Sequence, residues 1–190
     1  MSLALGALAC FAVLYALSVL SLLGGGIVRV LFFGLPFALF PFSVRWLKES
    51  WRHRWPVDVT FSNMTVVLVW LIISYPALNF LNVVRPFPIG WDDLGSYLNR
   101  PRLLASYGSF IPSMSQFQWE FLSSLGYVIF GITPDSGWDI IGSTFAMEIN
   151  WAAGLLAALS VYVFARTYLG KGRGLIANML YYFLPMVVHF

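Results

Sequence analysis

The sequence predicts an all-α, polytopic transmembrane protein, and three observations point there. Hydrophobic residues make up 59% of the chain and charged residues only 10%, against roughly 25% charged in a soluble domain. The mean hydropathy is +0.79. Apolar runs close to the length needed to cross a ~30 Å hydrocarbon layer recur along the chain, and basic residues collect between them. A charge at the bilayer centre costs on the order of 3 kcal/mol, so much of the surface is expected to face lipid. The net charge of +3 is small and scattered, which gives no ground for a nucleic-acid partner. Cys10, the single cysteine, lies in an apolar run and cannot form an internal disulfide.

Residues 3–23 carry no charge and are expected to form the first span, retained because no basic region or small-residue cleavage pattern precedes it. Gly24-Gly25-Gly26 breaks this run, and residues 27–44 form a second span whose Arg29 lies near enough to the end to snorkel into headgroups. Together residues 3–44 make an N-terminal hairpin. Residues 45–63 are polar, with Arg45, Lys48, Arg52 and Arg54 close together. At 100° per residue Leu47, Trp51 and Trp55 share one face and Arg45, Lys48, Glu49, Arg52 and His53 the other, as in an interfacial helix; a solvated loop is the alternative. The basic density marks this segment as cytoplasmic.

Residues 64–84 form a third span in which Pro76 is a tolerated kink. The span carries the chain outward, so residues 85–138, with only three arginines, form the first large extracytoplasmic loop. Residues 140–165 return. Arg166, Lys171 and Arg173 make a second basic loop, and residues 174–190 begin a fifth span. That last run is about 16 residues long where a span needs roughly 20, so the sequence is expected to be a piece of a longer protein and inactive by itself. The core is taken as residues 64–190, in a multi-pass protein of the cytoplasmic (plasma) membrane with its N-terminus inside.

Most of the polar chemistry lies in the outer loop. Residues 92–107 have helix-compatible apolar spacing at Leu94, Leu98 and Leu103-Leu104, interrupted by Pro101 and ended by Gly108. Residues 115–130 form a second helical stretch, with Phe117, Phe121, Leu125 and Val128 on one face and Gln116, Glu120 and Ser123 opposite. Two amphipathic juxtamembrane helices joined at Ile111-Pro112 would lie flat on the bilayer, apolar faces down. Asp92, Asp93 and Glu120 then sit on the water side.

At these residues the chain resembles the GT-C superfamily of integral-membrane glycosyltransferases, which includes the protein O-mannosyltransferases and the aminoarabinose transferases of lipid A. Trp91-Asp92-Asp93-Leu94, Tyr97-Leu98-Asn99-Arg100-Pro101-Arg102, Gly108-Ser109-Phe110-Ile111-Pro112 and Ile129-Phe130-Gly131 follow the order of that family's first outer loop. Leu184-Pro185-Met186-Val187-Val188 is similar to the outer end of its third membrane helix. Ser113-Met114-Ser115-Gln116-Phe117 stands where many relatives have a Lys-Pro-Pro or Pro-Pro step. The resemblance covers residues 65–190.

It implies transfer of a sugar from a polyprenyl-phosphate-linked donor to an acceptor hydroxyl outside the membrane. A carboxylate that takes the hydroxyl proton during attack contributes about 10² to 10⁴ in rate. The resemblance assigns that base to Asp92, with Asp93 next in line; the plainer role of the pair is to cap and complement a helix N-terminus. Arg85, Arg100 and Arg102 could hold the donor phosphate through a bidentate fork, or simply meet lipid headgroups. Tyr97 belongs to the same motif. Glu120, Glu148 and His189 are further candidates for donor or acceptor contact, against a wet helix face, a headgroup contact and interfacial packing respectively. No metal ligand is assigned. A divalent cation on Asp92 and Asp93 is the one cofactor considered, although neither a His nor a third Asp stands at ligand spacing. The competing function is a non-enzymatic transport or polymer-export subunit, which should place its polar groups near the bilayer midplane on broken helices.

Overall fold

The computed structural model describes residues 2–52, 63–84, 98–112, 118–132 and 140–183. These residues form helices only: α1 (Ser2–Val19), α2 (Gly25–Arg52), α3 (Asn63–Val83), α4 (Asn99–Tyr107), α5 (Gln118–Phe130), α6 (Ile140–Leu169) and α7 (Lys171–Phe183). Three are long and apolar enough to cross a membrane: Gly25–Arg45 within α2, Met64–Val83 within α3, and α6. The protein is a helical membrane protein in this sense.

The first apolar run is helical for a shorter stretch than its composition suggests. α1 ends at Val19 because Ser21 turns left-handed with φ 56°, and the Leu22 amide then donates to the Leu17 carbonyl at 2.7 Å, closing the last turn. The Leu23 amide donates to the Gly108 carbonyl at 3.1 Å, and the Phe110 amide to the Ser18 carbonyl at 2.9 Å. The turn between α1 and α2 is thereby fixed to the end of α4.

α2 is one continuous helix through Arg52, so the separate interfacial helix expected from Arg45 onward is instead its last two turns as far as the described residues go. Arg45 and Glu49 pair along it at 3.3 Å. Pro36 and Pro41 lie inside the helix; lacking an N–H, they leave the Phe32 and Phe37 carbonyls without their usual donor, which membrane helices tolerate. From Val30 to Arg45 every side chain of α2 is exposed, the arrangement of a span that faces lipid.

α5 is the centre of the molecule. Each residue from Glu120 to Ile129 is buried, packed by α1, α2, α4 and α6. Phe121 lies edge-on to Phe11 and Tyr15, with ring centroids 5.8 and 5.6 Å away. The expectation that Glu120 faces water is corrected: the carboxylate is enclosed between helices at 7% exposure. Small residues fit within it: Ser124 returns its hydroxyl to the Phe121 carbonyl at 2.7 Å, and Gly126 lets the backbones of α5 and α6 meet. Ser and Gly read as polar on a helical wheel, yet within helix interfaces they permit close approach. Gly126 lies against Gly142 and Ala146, while Trp119 and Ser123 meet Asn150. Rising numbers on α5 meet falling numbers on α6, so the two helices run antiparallel, side by side.

α3 joins α6 through Trp151, whose indole N–H donates to the Pro76 carbonyl at 3.1 Å and whose ring lies 4.9 Å from that of Phe80. The second basic loop shrinks to a single residue. Gly170, with φ 96°, reverses the chain, and Lys171 and Arg173 already belong to the first turn of α7. Gly174 permits the tight return, since a Cβ there would stand 3.2 Å from the Tyr162 carbonyl. On the same face of α7, the buried amide oxygen of Asn178 has no hydrogen-bond partner among the described residues.

Candidate functional site

Of the predicted site residues, Asp92, Asp93, Arg85, Tyr97 and His189 lie outside the described residues, and the divalent-cation alternative lies outside with the acidic pair. Arg100, Arg102, Glu120 and Glu148 are described, and the structure joins two of them.

α4 begins at Asn99 with Leu98 before it and no side-chain cap. Pro101, in the first turn, is buried and needs no acceptor for a missing N–H. Gly108 ends the helix as expected, left-handed at φ 63°, its amide on the Leu104 carbonyl. This short helix presents Arg100 to α5. Its Nη1 donates to Glu120 Oε1 at 3.1 Å, with the two side chains 31% and 9% exposed. A carboxylate so enclosed is costly unless paired, so the bond ties the first turn of α4 to the first turn of α5. Leu98, Tyr127 and Ala146 form an apolar cluster nearby.

A second polar contact crosses from α5 to α6. The Trp119 indole N–H and the Ser123 hydroxyl both donate to Asn150 Oδ1, the latter at 3.2 Å. Ser123 is 2% exposed, while Trp119 keeps 38% of its surface open. Asn150 lies about 15 Å along α6 from Ile140. Glu148, also half-buried, makes no hydrogen bond or ion pair among the described residues and faces away from Asn150, about 200° around the helix. It joins neither contact. Arg102 is half-buried one turn along from Leu98.

Arg29 has a role that the sequence did not disclose. Its Nε donates to the Ile129 carbonyl at 2.6 Å, closing one of the carbonyls left open at the C-terminus of α5, where a cation is favoured by the helix dipole. Gly25 makes the contact possible, because a Cβ there would come within 2.9 Å of the Val128 carbonyl. Snorkelling therefore gives way to a specific cap. The signal was an arginine one turn after a glycine run at a helix start, which does not name its partner 100 residues away.

Arg29, Arg100, Glu120, Trp119, Ser123 and Asn150 thus gather around α5. They lie at its two ends, the Arg29 cap at the C-terminal end and the Arg100–Glu120 pair with the Asn150 contacts at the N-terminal end. Comparison with protein-family models, with curated proteins and with solved structures finds no match to this chain.

Proposed function

We propose that the chain belongs to a membrane glycosyltransferase of the GT-C kind, which moves a sugar from a polyprenyl-phosphate-linked donor to an acceptor hydroxyl at the extracytoplasmic surface. The observation that supports this best is the placement of α4. The helix follows the Trp91-Asp92-Asp93-Leu94 motif and is bonded to the α1–α2 turn through Leu23 and Gly108. If α1, an apolar helix shorter than the three spans, crosses outward, that turn comes outside, and α3 crossing outward brings the acidic pair outside too, so both would meet on one side.

In the proposed reaction Asp92 or Asp93 accepts the proton of the acceptor hydroxyl as its oxygen bonds to the anomeric carbon. The bond from that carbon to the phosphate oxygen breaks, and polyprenyl phosphate leaves with the electron pair. Positive charge must hold that phosphate, and Arg85, Arg100 and Arg102 are the candidates from this loop. Glu120 already holds Arg100 from one side, which fits an arginine kept in a set orientation.

The test is transfer by the protein in its native membrane, with Asp92→Asn and Asp93→Asn made separately. The base position should lose about 10² to 10⁴ in turnover at unchanged protein level. Full activity in both variants would return the pair to helix capping and leave the non-enzymatic transport or export subunit as the function to pursue.

A further inference from the structure

The cap that Arg29 places on α5 accounts for only part of its hydrogen-bonding capacity. Nε donates to the Ile129 carbonyl at 2.6 Å, and the side chain makes no other hydrogen bond or ion pair among the described residues. The N–H bonds on Nη1 and Nη2 therefore stay open, on a residue that is exposed. Two glycines keep this part of the guanidinium clear. A Cβ built at Gly25 would stand 3.7 Å from Nη2, and one at Gly131 would stand 3.8 Å from it, so a longer side chain at either position would crowd the open edge.

The local charge calls for an anion. Arg100 has the Glu120 carboxylate at 3.1 Å, whereas Arg29 meets only a carbonyl. The C-terminal end of α5 supplies about half a unit of negative charge, less than the guanidinium carries. Arg29 also lies near the start of α2, whose amide end is itself positive, so its own helix does nothing to neutralise it. Depth narrows the choice of anion. The apolar window of α2 runs over the 21 residues Gly25–Arg45, about 31 Å at 1.5 Å per residue, close to the ~30 Å hydrocarbon layer. The guanidinium turns back to Gly25, with Cζ 3.7 Å from the Cβ position there, and so stands at one end of that layer, where lipid phosphates lie. We infer that Arg29 binds the phosphate of a membrane lipid, with Nε held on α5 and the Nη1–Nη2 edge donating to two phosphate oxygens. Two sources share this chemistry, a bulk phospholipid and the polyprenyl phosphate of the function proposed above, and the binding itself does not depend on sugar transfer.

The experiment uses the purified protein in a neutral detergent and three probes: a short-chain polyprenyl monophosphate, phosphatidylglycerol, and the polyprenol without phosphate. Arg29→Gln keeps an N–H for the Ile129 carbonyl but removes the charge, and Arg29→Lys keeps the charge but loses the planar fork. Arg29→Gln should bind the phosphate lipid about tenfold more weakly, equivalent to about 1.4 kcal/mol, and Arg29→Lys about threefold more weakly, with polyprenol binding unchanged within about twofold. A loss confined to polyprenyl phosphate assigns the site to the lipid-linked donor, and an equal loss for phosphatidylglycerol assigns it to the bulk lipid. Unchanged phosphate binding in the variants, an equal loss for polyprenol, or failure of the unaltered protein to bind either phosphate lipid would overturn the site; none of these outcomes touches the base at Asp92 or Asp93. Thermal unfolding accompanies the series, because a cap alone would lower the midpoint and leave the phosphate affinity of the folded protein as it was. If Arg29→Gln does not fold, Arg29→Lys decides against the same polyprenol control.

Discussion

Replacing Gly126 by alanine tests how α5 is seated. A Cβ built at this position stands 2.2 Å from the Gly142 carbonyl oxygen and 3.1 Å from the Ala146 amide nitrogen. Both atoms are backbone, so no side chain can rotate away, and α5 and α6 must separate by roughly 1 Å to reach ordinary contact distance. A gap of that size forfeits a quarter to a half of the dispersion attraction across the affected surface, and overpacking of this kind typically costs about 1–3 kcal/mol. The Trp119 and Ser123 bonds to Asn150 cross the same interface, so they stretch with it. Gly154→Ala is the matched control. It lies on α6 as well, but nothing stands within 4 Å of its Cβ, and relief of glycine's backbone freedom should stabilise it by about 0.5–1 kcal/mol. Thermal unfolding in one detergent, followed by circular dichroism, should order the proteins Gly154→Ala, wild type, Gly126→Ala, the last falling by about 2–4 °C for each kcal/mol lost. A Gly126→Ala midpoint at or above that of Gly154→Ala would refute the close approach of α5 to α6.

Two other perturbations probe the polar ties to α5. Glu120→Ala leaves the Arg100 guanidinium, 31% exposed, without its carboxylate; partial hydration softens the loss to about 1–3 kcal/mol. Chemical denaturation should show Glu120→Gln, which keeps an acceptor oxygen, losing less than half as much, and equal losses would mean that the pair is not formed. Arg29→Ala removes the cap on the Ile129 carbonyl, worth about 1–2 kcal/mol in a partly buried setting. Amide hydrogen exchange should speed up in the last turn of α5 while α7 stays as protected as before, and unchanged exchange there would refute the cap.

Much of the helical outline was legible because composition and span length dictate it: α3 and α6 begin within a residue of where the apolar runs do, and Gly108 ends α4 by being able to turn left-handed. The packing was less legible. Glu120 and Ser123 on α5 looked like a wet face, since a helical wheel assigns polarity without asking whether a side chain can satisfy itself on a neighbouring helix, as these do on Arg100 and Asn150. The partners of Arg29 and Asn150 lie 100 and 27 or 31 residues away, and no local pattern encodes such a distance. Of the site, Arg100 and Glu120 were both singled out from sequence, but as separate candidates. Their union at 3.1 Å came from the way α4 packs on α5. Trp119 was not singled out, because one tryptophan among 8 carries no signal until its N–H is seen to turn inward.

The proposed chemistry turns on one comparison. Membranes containing the wild-type protein, or the Asp92→Asn/Asp93→Asn double variant at equal level, are supplied with a lipid extract bearing radiolabelled sugar, and label transferred to acceptor is counted. Transfer by the wild type and its loss in the double variant is the predicted result. Equal labelling by the two proteins would contradict a carboxylate base in this loop.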